Sequence, residues 1–382
     1  MSNQVRPEHQ HPPSGYVKLF TSAASDGPLK LEDQEDSTDL QLETAIENGS
    51  DGPIIALLLP RLPNLKQLTY INWGDSSWFL NVLEQAAAAH ATSNPPLAFR
   101  NLTSVRLEHW DTEMCIDYRF MRYLICMPSM RFLSGHMIGG ERGESENPVN
   151  LARSRVTGLE FSYSALSRDA MSETLSGIEA LEKFSYECGG AVVYYTDYDP
   201  HGMLADLLKY AGHSLEELSL VDCEQSEAVS ALSSQTTYSV EYTLMYCKEE
   251  TSPHTFLVEF QKLKHLDLDW DTLVPDPDAE AEDVGEKDKA LSQGFYTAEN
   301  TAGNQGVNLA DFLPPSLESL KLAECPVTGL DLLVKMLEQK EARLPKLSKM
   351  RIGMTGYEYV DMLKLAEAAE TAGVDYGQWR RS

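Results

Sequence analysis

The stretch Leu215-Glu216-Glu217-Leu218-Ser219-Leu220 holds apolar residues at its first, fourth and sixth positions, and this spacing returns along most of the chain. It recurs as Leu65-x-x-Leu68-x-Tyr70, Leu102-x-x-Val105-x-Leu107, Val156-x-x-Leu159-x-Phe161 and Leu181-x-x-Phe184-x-Tyr186 before it. After it come Leu263-x-x-Leu266-x-Leu268, Leu317-x-x-Leu320-x-Leu322 and Leu347-x-x-Met350-x-Ile352. A ninth copy is expected between the second and third, where Met130-Arg131-Phe132-Leu133 fits the first half and Gly135 weakens the second. The end of each hexad alternates apolar and polar residues, as a half-buried strand does.

Most intervals between hexads carry a helical segment. Residues 78–89 are a strong one, and 201–212 end in Gly212, a residue suited to a left-handed helix cap. Residues 330–340 and 357–369 add two more, each with apolar residues three and four apart. Strand followed by helix, many times over, predicts an α/β fold with a parallel sheet and helices on one side, whose repeats bury a core only by stacking on neighbours.

This pattern resembles the leucine-rich-repeat family. The resemblance extends to the ninth position of the repeat, where that family carries Asn or Cys and this chain has Cys223 and Cys325. Trp73 and Trp110 stand at the same offset in the first two repeats. Successive first positions lie 37, 28, 26, 25, 34, 48, 54 and 30 residues apart, against a usual period of about 20–29, so the long intervals read as insertions. Irregular length, together with the pieces Leu62 to Leu68, Ala211 to Leu220 and Phe312 to Leu322, is similar to the fungal leucine-rich-repeat proteins of the F-box type. The resemblance covers about residues 54–370. It implies a solenoid or horseshoe with a parallel concave sheet and helices on the convex side. It also implies a substrate-binding part of a ubiquitin-ligase adaptor, joined to a ligase linker subunit only if an F-box exists. Residues 1–60 contain no stretch that reads as that helical module.

The full chain has 382 residues, 31 Lys+Arg against 59 Asp+Glu, and a formal charge of −28. So negative a chain is not a general nucleic-acid or anionic-membrane binder, because phosphate recognition needs an excess of Lys and Arg. The 42% hydrophobic content allows a sizeable core. The charge is local: residues 165–270 carry −13 and 271–316 carry −8. Residues 1–53 read as an acidic, largely disordered leader or N-terminal cap, 54–372 as the solenoid, and 373–382 as a C-terminal tail. A second acidic, low-order insertion is expected at about 274–307. No signal peptide or membrane-spanning run is read, so the expected location is cytoplasmic or nuclear.

No enzyme, metal or cofactor chemistry is expected. Gly212-His213-Ser214-Leu215-Glu216 begins like a nucleophile elbow, but its fifth residue is not Gly and the order is helix, then strand. Asp267, Asp269 and Asp271 are spaced like the start of a calcium loop, yet Thr272 stands where the loop needs Gly. Alternation instead places Asp267 and Asp269 on the solvent side of a strand. The six cysteines form no metal-spaced set, and those at the repeat's ninth position are expected to be buried.

Function is therefore expected on the solvent side of the strands. The candidate partner-binding residues there are Arg106, Glu160, Lys183, Glu187, Glu217, Asp267, Asp269, Lys321 and Arg351. They form a face that is acidic in the middle and basic towards its C-terminal end. The expected activity is recognition of a protein partner, basic in character, with no catalysis. The other class considered is a regulator or inhibitor that caps a partner enzyme without any ligase linkage.

Overall fold

Each hexad ends in a strand. In the computed structural model, which describes residues 42–72, 77–92, 98–111, 114–140, 154–189, 198–222, 257–274, 308–355 and 359–379, the strands are β1 (Gln67–Asn72), β2 (Ser104–His109), β3 (Ile116–Asp117), β4 (Phe132–His136), β5 (Ile138–Gly140) and β6 (Gly158–Leu166). They continue as β7 (Lys183–Cys188), β8 (Glu217–Asp222), β9 (His265–Asp269), β10 (Ser319–Pro326), β11 (Lys349–Thr355) and β12 (Asp375–Gln378). The helices are α1 (Leu42–Glu47), α2 (Gly52–Leu58), α3 (Ser77–His90), α4 (Arg119–Ile125), α5 (Arg168–Ser176), α6 (Pro200–Ala211), α7 (Trp270–Leu273), α8 (Leu330–Glu338), α9 (Lys340–Arg343) and α10 (Tyr359–Thr371).

The chain is a mixed α/β protein with a twelve-stranded parallel sheet. Ten strands follow chain order, β1-β2-β4-β6-β7-β8-β9-β10-β11-β12, while β3 pairs with β5 and β5 also with β6. Register matches hexad to hexad: Leu68, Val105, Leu133, Leu159, Phe184, Leu218, Leu266, Leu320, Met350 and Tyr376 form one row. From Val105 to Met350 no member of that row is more than 2% exposed. Burying one such side chain contributes about 1.5–3 kcal/mol, so this row is a main source of cohesion.

The second hexad position explains why the strands stay in step. Its carbonyl accepts two backbone N–H groups from the next repeat: Lys66 from Thr103 and Ser104, Thr103 from Arg131 and Phe132, Arg131 from Thr157 and Gly158. Thr157, Glu182, Glu216, Lys264 and Glu318 repeat the arrangement, and Ser348 accepts from Asp375. A serine just before the first leucine adds a side-chain link. Ser214 Oγ donates to the Leu181 carbonyl at 2.8 Å and Ser316 Oγ to the Leu263 carbonyl at 2.7 Å. The Ser-Leu-Glu triplets 214–216 and 316–318 thus share a bonding pattern.

The other face of the core is helical. Successive helices touch one another from α1 to α6, and α8 touches α10. Their apolar sides join the strand residues in one buried cluster. Tyr70, Phe79 and Phe120 bring β1, α3 and α4 together, with ring centroids 4.8–6.0 Å apart. Between α4 and α5, Arg122 and Glu173 form an ion pair of 3.0 Å with the arginine 2% exposed.

Three sequence expectations change in detail. The weak ninth hexad is a strand, β4, and Gly135 has a purpose: a Cβ there would lie 2.3 Å from Ile138 Cγ1. Ile138, from β5, thus occupies the place of the missing sixth-position side chain. Gly212 is not left-handed, with φ −55°; a Cβ on it would meet the Leu208 carbonyl oxygen at 2.6 Å, so close approach is what calls for glycine. The stretch 373–382 includes β12, which extends the sheet by one strand.

Residues 1–41 of the acidic leader, the acidic insertion from 275 to 307, and Trp73, Cys223 and Cys247 lie outside the described residues. Among the described residues no helix is long and apolar enough to cross a membrane.

Candidate functional site: the open face of the sheet

Alternation turns the third, fifth and seventh hexad positions away from the helices. The fifth-position row runs Thr69, Arg106, Ser134, Glu160, Ser185, Ser219, Asp267, Lys321, Arg351 and Gly377. Eight of the nine candidate partner-binding residues lie on this open face.

They are bound mostly to each other. Arg106 pairs with Glu108 of its own strand. Lys183 reaches Glu160 at 2.9 Å and Glu217 at 3.5 Å, linking β6, β7 and β8. The bond that Lys183 donates to Glu160 is the main reason that it holds its proton more tightly than an ordinary lysine. Two carboxylates thus share one ammonium. Glu187, half-buried opposite Val221, forms no ion pair among the described residues and adds to the negative charge there.

Further along, Asp267 pairs with Lys321 at 2.8 Å, and Arg351 with Asp375 at 2.7 Å. The basic end expected from sequence is therefore largely neutralised. Trp379 contributes too. Its ring centroid lies 3.7 Å from Lys321 Nζ and its indole N–H donates to the Leu322 carbonyl at 3.3 Å. Gly353 leaves room for it, since a Cβ would stand 3.3 Å from the Trp379 carbonyl oxygen.

Asp269 departs from expectation. It is 2% exposed rather than on the solvent side, and its Oδ2 accepts the backbone N–H of Asp222 at 2.7 Å. The cause is local. β9 ends at Asp269 and α7 starts at Trp270, so alternation stops there and the carboxylate turns to the donor at the end of β8.

Candidate chemistry elsewhere resolves into structure. Ser214 is buried and its hydroxyl is used by the Leu181 carbonyl, while His213 beside it is exposed. Among the described residues no three His, Cys, Asp or Glu side chains are grouped to hold a metal ion. Cys325 is fully buried, and burial pushes its thiol up to about 12, far from the thiolate that reactivity requires.

The sequence reading missed a second character of this face. On its N-terminal part, Ile71, Trp110 and Tyr163 are 40%, 48% and 45% exposed. Tyr163 meets His136 edge-on, centroids 5.5 Å apart, and His136 Nδ1 lies 2.9 Å from Ser162 Oγ. Ile71 was legible as an apolar residue at an outward position, whereas Trp110 stands at the ninth position, where the cysteines of later repeats are expected to be buried, and is exposed instead. Tyr163 was not legible, because the register of β6 against β7 slips between Phe161 and Ser164.

Comparison with protein-family models and with curated proteins found no match for this chain.

Proposed function

We propose that the chain is a non-enzymatic recognition scaffold: a leucine-rich-repeat solenoid, curved as a horseshoe, whose concave side is the open face of the parallel sheet. The observation that carries this reading is the run of ten strands whose hexads align row by row, with outward rows of polar and charged side chains. Such a surface is broad and rigid, so side chains meet a partner with little entropy left to lose. The partner is a protein with a basic surface, attracted by the charge excess around Glu160, Glu187 and Glu217. A cytoplasmic or nuclear setting accords with this role. Presentation of that partner to a ubiquitin ligase rests on the family resemblance alone, and the recognition role does not depend on it.

The test is affinity capture with quantitative mass spectrometry, comparing wild type with Glu160→Lys/Glu187→Lys/Glu217→Lys. A stoichiometric partner held by wild type and lost by the variant is the expected result. A partner set unaffected by that variant removes the open face from the function.

A further inference from the structure

The seventh hexad position puts Ile71, Glu108, His136 and Ser162 on adjacent strands β1, β2, β4 and β6. Trp110 follows directly beyond β2, its backbone N–H donating to the Asn72 carbonyl with N···O 3.4 Å. Tyr163 stands against His136. Three large apolar side chains, each at least 40% exposed, therefore fall within the four successive strands β1, β2, β4 and β6 or directly beyond them. Scattered exposed apolar residues need no explanation, but a cluster of them does.

Tyr163 adds a second, independent sign. Its φ is +48°, the left-handed region that an aromatic residue occupies only at a cost of about 1–2 kcal/mol. Asparagine or glycine would sit there with less strain. The strained backbone brings the phenol ring over to His136 and leaves it 45% exposed.

Immediately beside this strip the charge changes. Across β6, β7 and β8, Glu160 and Glu217 share the ammonium of Lys183, and Glu187 lies further along β7, two residues beyond Ser185, which stands opposite Glu160. Four charged groups leave a net of two negative charges. Adjacent strands are about 4.8 Å apart, so the surface from β1 to β8 spans about 24 Å, the reach of about seven extended residues.

Resting on the recognition role proposed above, we infer that this surface binds an extended segment of a partner protein, apolar in one half and basic in the other. The apolar half lies over Ile71, Trp110 and Tyr163, and the Lys or Arg side chains meet Glu187 and the Glu160/Glu217 pair. Aromatic anchors in a partly desolvated site with charges beside them are the usual makings of an energetic centre in an interface. The charge order along the surface selects against acidic segments.

The full chain is exposed to a display library of random twelve-residue peptides, and an enriched peptide is then synthesised with a fluorescent label. Enriched sequences are expected to combine large apolar residues with Lys or Arg in separate halves. Trp110→Ala and Tyr163→Ala each weaken the labelled peptide at least tenfold, Glu187→Lys weakens it similarly, and Lys349→Glu leaves it unchanged. Unfolding curves confirm that each variant is folded, and Tyr163→Asn serves if Tyr163→Ala is not.

Enriched peptides lacking either half, or no enrichment, overturn the inference. So does self-association of the wild type that Trp110→Ala abolishes, which would make a second copy the occupant. Peptides lost on Asp267→Lys but indifferent to Trp110→Ala overturn this inference while leaving the recognition role standing. Peptides indifferent to every open-face substitution overturn both.

Discussion

The indole of Trp379 lies against the ammonium of Lys321, 3.7 Å from ring centroid to Nζ, although the whole of β11 intervenes between them in the sheet. The same ring bonds to Leu322, 57 residues away in the chain. A cation over an aromatic face contributes about 0.5–2 kcal/mol depending on exposure. Trp379→Ala should therefore lower the unfolding free energy by about 1–2 kcal/mol in urea titrations. Lys321→Met keeps the ring contact and should cost less.

Gly135 and Ile138 share one space. Gly135→Ala places its methyl where Ile138 Cγ1 stands, 2.3 Å away, and should destabilise by about 1–3 kcal/mol through overpacking. Ile138→Ala alone should cost about 2–5 kcal/mol through the cavity it leaves. The double variant Gly135→Val/Ile138→Ala should be more stable than the sum of its single changes. Additivity in a double-mutant cycle would show that the two do not share a site.

Ser214 and Ser316 make equivalent bonds in different repeats. Each Ser→Ala change should lower stability by about 1 kcal/mol, the net worth of one hydrogen bond. Because the Ser214 hydroxyl is buried and already donates, a fluorophosphonate probe of activated serines should not label it. Labelling at Ser214, read by mass spectrometry, would reverse the structural assignment.

Lys183 sets an alkaline limit. Its proton is held more tightly in the folded chain, first by the bond donated to Glu160 and then by the charges of Glu160 and Glu217. The stability this contributes is present in full below the unfolded lysine value of about 10.4, and it is lost as pH rises through the higher folded value. The stability difference between wild type and Lys183→Met should therefore shrink as pH rises through that window. Equilibrium unfolding across the window measures it, and in a Glu160→Gln background the shrinkage should be smaller and complete at a lower pH.

How much was legible in sequence depended on how far apart the causes lie. The strands were readable because each needs only six residues with apolar side chains at set places, and β4 failed to stand out only because Ile138 supplies what Gly135 lacks. Arg106, Glu160, Lys183, Glu217, Asp267, Lys321 and Arg351 were placed on the open face by alternation alone. Their pairings were not readable, since Lys183 and Glu217 come from different repeats. Asp269 was misplaced because its acceptor role depends on a backbone N–H 47 residues earlier. Tyr163 and Trp379 escaped for the same type of reason, the first through a register slip and the second through a contact across two strands.

The doubly accepting carbonyl at the second hexad position also bears on how the chain is made. Each strand of the main sheet finds its template in the one before it, and among the described strands no later one is inserted between two earlier ones. Nascent chain leaving the ribosome can therefore dock repeat by repeat, with loop closures of a few tens of residues rather than hundreds. Growth in one direction leaves a single temporary sheet edge at the point of synthesis, and Trp379 is the last described side chain to settle on the finished surface.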